Sequence, residues 1–257
     1  MQMKLQALQT LFTGQKIIEL GEVDSTNNYA SILLKESNPS EGTVILSYQQ
    51  LSGKGQRGAY WESEPNKNLT FSIIFYPRFI HPKDQFQLNQ AVALGICDYA
   101  RTVLGNDVKI KWPNDIYYND KKLAGILIES SIRADELTSS IIGIGLNINQ
   151  TVFTSDAPNP VSFQLITGEH YDLTKSLLEL CHFIESRYLQ LKAGKTYLLK
   201  QDYLNSLYRF NELNSFLYKN DKFKAKIIDI SKEGKLVLEK ISREIKSFDF
   251  KEVSFVI

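Results

Sequence analysis

The sequence predicts an α+β fold in two parts, a large unit of strands and helices over residues 1–209 and a small all-β unit over residues 210–257. Three observations carry this. Phe86, Ala91–Leu94, Ile96, Tyr99 and Val103 recur at helical spacing, which makes Gln85–Leu104 a core helix. Around it stand short runs rich in β-branched and aromatic residues, bounded by turn residues, as strands are. From about Phe210 the texture changes: Phe216–Tyr218, Phe223–Ile230, Lys235–Glu239, Ile245–Phe250 and Val253–Ile257 read as short strands, with turns at 219–221 and 232–234. Such a set in so short a span suggests a small β-barrel. It is too small to be very stable alone and is expected to pack on the large unit.

Composition narrows the function classes. With 257 residues, 43% of them hydrophobic, the chain suits one large domain plus a small one. A formal net charge of +1 sets up no global field to draw nucleic acid or an anionic membrane. No apolar run reaches the ~18 residues of a membrane span, and no basic-then-apolar signal follows Met1. A soluble, cytoplasmic protein is expected. Cys97 and Cys181 sit in helical apolar stretches and read as buried free thiols. His81, His170 and His182 lack ligand spacing, which argues against a zinc site.

Taken in order, Met3–Phe12 reads as a short amphipathic helix and Ile17–Leu20 as a strand. Asp24 or Ser25 can cap the helix that follows, Asn28–Lys35. Capping alone accounts for Ser25, Thr26 and Asn27. The same free N–H groups and hydroxyls at a helix N-terminus also suit a ligand's polar group. Thr43–Tyr48 is a strand, and Gly53, Gly55 and Gly58 then spell GxGxxG. A dinucleotide fingerprint needs a helix opening at the last glycine; here Trp61, Pro65 and a polar run lead into another strand, Leu69–Phe75. A kinase loop also joins two strands, but no HRD or DFG set follows. What remains is a basic, glycine-rich hairpin loop, either simply solvated or able to approach a phosphate closely. Lys54 and Arg57 would supply its charge, and Trp61 a flat face for a base.

After the core helix, Val108–Ile110 leads into Lys111–Asp115, where Pro113 breaks the run. Ile116–Tyr118 resumes as a strand, Asn119-Asp120 is a turn, and Leu123–Glu129 returns, so that Lys122 comes back beside Asp115. An ordinary hairpin with solvated lysines fits this stretch too, and Asp115 can serve as a turn-capping residue. Thr138–Asn147 is a strand whose Gly143 and Gly145 mark close approach of a ligand or another backbone. Leu177, Cys181, Ile184, Tyr188 and Leu191 make a second amphipathic helix and Tyr197–Leu207 a third; neither carries a polar constellation.

The Lys111–Asp115 (KWPND) and Lys122–Leu127 (KLAGIL) segments closely resemble the pattern of the biotin protein ligase family. The resemblance extends to Ser25-Thr26-Asn27, to the Gly53–Trp61 loop with Gln50 ahead of it, to Gly143–Asn149, and to the C-terminal β unit. It covers nearly the whole chain but is specific only in those motifs. It implies a mixed central sheet with flanking helices, of the class II synthetase and biotin-ligase kind. Residues 1–209 would be the biotin- and ATP-binding catalytic domain and 210–257 an SH3-like domain. Biotin would be bound by Ser25, Thr26, Asn27, Gln50, Gly53, Lys54, Gly55, Gln56, Lys122 and Gly125, and ATP by Arg57, Trp61, Lys111, Asn114 and Asn147. There are departures in the glycine loop. Lys54 and Gln56 stand where family members commonly carry arginine; Lys54 keeps the charge without the bidentate fork, and Gln56 loses it.

Joining a carboxylate to ATP brings two anions together, so the site needs cations and dipoles that stabilise charge building on the α-phosphate. Lys54, Arg57, Lys111 and Lys122 can act in this way on Mg-ATP. Lys122 would bridge the carboxylate and an α-phosphate oxygen, Lys111 and Asn114 would hold phosphates or magnesium, and Asp115 would orient Lys122 or take a proton from an incoming amine. No metal ligands are assigned. No Ser/Cys–His pair suggests a covalent acyl-enzyme, so the acyl group should pass directly to an outside nucleophile. By the resemblance this is a lysine of a biotin carboxyl carrier protein or domain of a biotin-dependent carboxylase. The alternatives are a lipoate or octanoate ligase, and a non-catalytic biotin sensor. The residues ahead of Ser25 are too few for the helix-turn-helix domain some biotin ligases carry, so no nucleic-acid partner is expected; a homodimer is left open.

Overall fold

A computed structural model describes residues 9–155 and 159–256, apart from the side chain of residue 57. The large unit holds strands β1 (Ile17–Val23), β2 (Val44–Gln50), β3 (Leu69–Phe75), β4 (Val108–Lys111), β5 (Asp115–Tyr118), β6 (Lys121–Arg133) and β7 (Glu136–Leu146). Its helices are α1 (Thr26–Glu36), α2 (Phe86–Leu104), α3 (Phe163–Thr167), α4 (Leu173–Lys192) and α5 (Thr196–Ser206). The strands form one sheet in the order β1-β2-β3-β7-β6-β5-β4. Only the β1–β2 pair in it is parallel, with α1 as the connection, so the sheet is mixed.

Strand periodicity sorts side chains to two faces. On one face Ile45, Ile74 and Ile141 pack against Ala30 of α1. On the other, Val44, Leu46, Phe71, Ile73 and Phe75 join the apolar faces of α2, α4 and α5 in the main core. The cysteines are buried there as free thiols, each pushed up to about 12 by desolvation.

The C-terminal strands β8 (Leu213–Tyr218), β9 (Asp221–Ile230), β10 (Leu236–Lys240), β11 (Ile245–Phe248) and β12 (Val253–Phe255) form an antiparallel sheet in the order β11-β10-β9-β8-β12. It packs on the large unit as expected. The Trp112 indole donates to Gly234 O at 2.8 Å, and Trp112 lies against Phe250 at 5.4 Å between centroids. No helix among the described residues is long and apolar enough to cross a membrane.

Most elements fall where periodicity and turn residues put them, with ends displaced by a few residues. The expected helix Met3–Phe12 is different. Met3–Leu8 lie outside the described residues, and Gln9–Phe12 are not helical. The backbone N–H groups of Leu11, Phe12 and Thr13 instead donate to the Glu185 carboxylate on α4, at 2.6, 2.9 and 2.7 Å. Helix α4 therefore does carry a polar constellation: besides Glu185, Arg187 joins Asp98 of α2 to Asp202 of α5. Both groups serve as scaffold.

Candidate active site

Sheet register assembles the site. Gly145 on β7 pairs with Thr70 on β3 and with Gly125 on β6, Gly125 pairs with Asp115 on β5, and Asp115 with Lys111 on β4. One transverse row thus joins three segments that are far apart in the chain. The next row, Ser72–Gly143–Leu127, lies beside it on the same face. The glycines leave a trough in the sheet. A Cβ on Gly145 would overlap the Trp61 indole, and one on Gly143 would overlap the Asn27 amide. The close approach read from these glycines is real, but what approaches is a side chain rather than a backbone. Above the trough is a cavity of about 460 Å³, within the usual size of small-molecule sites.

One end of the cavity is polar and neutral. Ser25 is the N-cap residue of α1, yet its hydroxyl does not cap the helix and remains available. Thr26 donates from its N–H and its hydroxyl to Gln50 Oε1, at 2.9 and 3.2 Å. The Ser72 hydroxyl lies 2.7 Å from both Thr26 Oγ1 and Asn27 Oδ1, and Asn27 Nδ2 donates to Glu129 Oε2 at 2.6 Å. Ser25, Thr26 and Asn27 are all buried. Groups this buried and this interlinked have fixed orientations, which favours a ligand of matching pattern over one without hydrogen-bonding groups.

The other end is cationic. Lys122 Nζ lies 2.8 Å from Asp115 Oδ1 and 5.6 Å from the centroid of the Trp61 ring. Lys111 donates to the Tyr117 hydroxyl at 2.8 Å, and its ammonium lies 4.5 Å from the Tyr117 ring and 5.4 Å from the Phe255 ring of β12. Burial holds the Lys111 ammonium below the usual lysine range, against the pull of Asp115, and desolvation raises Tyr117. Asn114 spends Nδ2 on Ile126 O at 2.7 Å, which leaves its carbonyl oxygen for a ligand. Lys54 donates to Asn28 Oδ1 on α1, and Asn28 in turn to Asp24, whose carboxyl this bond lowers.

Of the residues singled out in the sequence, the cavity gathers Ser25, Thr26, Asn27, Gln50, Lys54, Gly55, Gln56, Trp61, Lys111, Asn114, Asp115, Lys122 and Gly125. Gly53 and Asn147 do not line it. Gly53 sits against the Trp61 carbonyl, where any Cβ would collide. Asn147 is buried at the end of β7 and donates to Val161 O at 3.0 Å, while its Oδ1 is buried without a partner. The backbone of Arg57 lies in a 3₁₀ turn, Gln56–Gly58; its side chain lies outside the described residues.

Sequence reading missed Ser72, Tyr117, Glu129, Lys251 and Phe255. A lone serine inside the apolar run Leu69–Phe75 was a usable signal for Ser72. Nothing local pointed to Lys251 or Phe255. Asp115 is the single carboxylate among the described lining residues, and it is paired with Lys122. Nor do the described residues hold a cluster of metal-ligating groups elsewhere. One paired carboxylate is thus the donor set that the described lining offers a cation.

Residues 20–147 match the model of the biotin/lipoate A/B protein ligase family. The chain is 31% identical to the bifunctional ligase/repressor BirA of Bacillus subtilis over 243 residues, which is 90% of this chain and 72% of that protein. It is 32% identical to the biotin–[acetyl-CoA-carboxylase] ligase of Paracoccus denitrificans over 159 residues, 60% of this chain and 65% of that one. The biotin protein ligase of Aquifex aeolicus, solved in complex with biotin and ATP, superposes with a TM-score of 0.77 at 27% identity, over 93% of this chain and 98% of that chain. The mixed sheet, the glycine trough with a polar and a cationic end, and these likenesses agree: the chain belongs to the biotin protein ligases of the biotin/lipoate A/B protein ligase family.

Proposed function

We infer that this protein activates biotin with Mg-ATP to biotinyl-5′-AMP and transfers the biotinyl group to a lysine of a biotin carboxyl carrier domain. The observation that carries this is a cavity whose neutral polar end and cationic end are joined across Trp61 and Lys122. A ureido head with fixed donors and acceptors suits Ser25–Asn27 and Gln50. Lipoate and octanoate bring heads without such groups and cannot match that pattern. A sensor that only stores biotin would have no use for the cationic end.

In this reading Lys122 bridges the biotin carboxylate and an α-phosphate oxygen, so that its ammonium offsets charge on nucleophile and electrophile together. Asp115 fixes that ammonium by their 2.8 Å ion pair and is placed to take a proton from the incoming lysine amine. Lys111 and Asn114 hold phosphate oxygens, and the Trp61 ring stacks on the adenine. Lys111 and Asn114 would hold the magnesium-bearing phosphates, where the ion would supply charge neutralisation. Gly55, Gln56 and Ala59 line the cavity and, when ordered over the mixed anhydride, keep water from it. We assign catalysis to residues 1–209 and a supporting, SH3-like role to residues 210–257.

The Lys122→Gln variant separates enzyme from sensor. Biotin binding by calorimetry is expected to persist but weaken about tenfold, through loss of the carboxylate contact, while biotin-dependent ATP–pyrophosphate exchange falls about 10²–10³-fold, the usual effect of removing one preorganised charge-stabilising contact. Full exchange by this variant would overturn the role given to Lys122.

A further inference from the structure

Lys251 belongs to none of the sequence motifs. It sits in the turn between β11 and β12, where Glu252 N–H donates to Asp249 O at 3.1 Å and Asp249 N–H to Glu252 Oε2 at 2.8 Å. Its φ is 66°, a left-handed conformation that glycine adopts freely and a residue with a Cβ adopts with strain. A lysine here works against its own backbone preference, and such positions cluster where a side chain has a task. From this turn the side chain reaches over the cavity, which Lys251 lines, and its ammonium donates to the Gln56 carbonyl of the glycine loop at 3.3 Å.

Two neighbours bear on what that ammonium does. Position 56 is a glutamine and brings no charge, and the other described cation of the loop, Lys54, is turned toward Asn28 of α1. Lys251 brings a positive charge to the cavity lining beside Gln56 from the C-terminal sheet, across the molecule. Lys251 has no carboxylate partner among the described residues. An ammonium has three donors; one is spent on Gln56 O, and the others are free for an anion.

We propose that Lys251 is a phosphate-binding residue of the adenylation site and the latch by which the C-terminal sheet holds the glycine loop closed. With ligand bound, its ammonium bridges the Gln56 carbonyl and a phosphate oxygen of the nucleotide or of the acyl-adenylate. Loop closure and charge neutralisation then become one event. This rests on the adenylating function inferred above.

The test uses the full chain and two variants. Lys251→Gly removes the ammonium and relieves the left-handed strain, so the fold is retained and the melting temperature is expected to equal or exceed that of wild type. Lys251→Arg keeps the charge. For Lys251→Gly, release of biotinyl-AMP is expected to accelerate about tenfold, and KM for ATP to rise by a similar factor with KM for biotin unchanged, as loss of one charged hydrogen bond implies. Lys251→Arg should stay close to wild type, and Gln56→Arg added to Lys251→Gly should restore slow release. Release from Lys251→Gly within about twofold of wild type, or Lys251→Arg failing as badly as the glycine variant, overturns the proposal while wild type remains an active ligase. Absence of biotin-dependent exchange in wild type overturns the functional reading itself, and this inference with it.

Discussion

Lys111 shows how a residue's surroundings tune its chemistry. Two aromatic rings and the Tyr117 hydroxyl surround an ammonium that burial has depressed below the ordinary lysine range. Desolvation disfavours the charged form, so as pH rises Lys111 loses its proton before an exposed lysine does. If the ammonium holds phosphate, KM for ATP must rise on the alkaline side, at a pH below that of ordinary lysine titration, while KM for biotin stays flat. Lys111→Arg remains charged throughout and should abolish that rise. A pH profile of KM for ATP in both proteins checks this; identical profiles would remove Lys111 from phosphate binding. Much at this scale was legible in the sequence. Lys111, Asp115 and Lys122 lie on three successive strands, which turn residues marked; the register shift at Ile116/Tyr117 that sets Lys122 opposite Tyr117, on the face of Asp115, had no signal in the sequence. Asn147 was legible only as part of a motif; its side-chain carbonyl oxygen is buried without a partner.

At the scale of elements, local periodicity found nearly all the strands and helices, because each buries a distinct stripe. It failed over Gln9–Phe12, the described part of the expected N-terminal helix, where a long-range contact outweighs local preference. Leu11–Thr13 are held by Glu185, and Phe12 packs edge-on against Phe75 and Tyr188 at 6.2 and 6.1 Å. An apolar stripe cannot announce a carboxylate more than 170 residues away. Glu185→Ala leaves these backbone donors without their acceptor, and the expected loss is about 2–3 kcal/mol of stability. Thermal or urea unfolding reads this directly. Exchange activity per folded molecule should stay unchanged, since Glu185 lies outside the cavity; a stability within about 0.5 kcal/mol of wild type would contradict the role assigned to it.

The whole molecule joins two sheets around one cavity. Sequence texture marked the second sheet and its packing on the first. It could not show that β12 and the turn before it reach the cavity, because that depends on how the sheets dock. The docking rests on Gly234: its carbonyl takes the Trp112 indole proton, its φ is 91°, and a Cβ there would lie 2.5 Å from the Phe86 ring. Lys232 adds an ion pair to Asp84 at 3.0 Å. Gly234→Ala is expected to lower stability by about 1–3 kcal/mol through crowding and backbone strain. It should also raise KM for ATP more than KM for biotin, because Phe255 of that sheet lies against the Lys111 ammonium. Equal rises in both would mean that the C-terminal sheet supports the site as a whole rather than its nucleotide end.

The central claim, that this cavity adenylates biotin, is tested most directly by ATP–pyrophosphate exchange with the purified wild-type protein and Mg-ATP, offered biotin, lipoate or octanoate in turn. The account predicts magnesium-dependent exchange with biotin and none above background with the other two acids. Exchange with lipoate or octanoate in place of biotin, or none with any acid while biotin still binds, would contradict it.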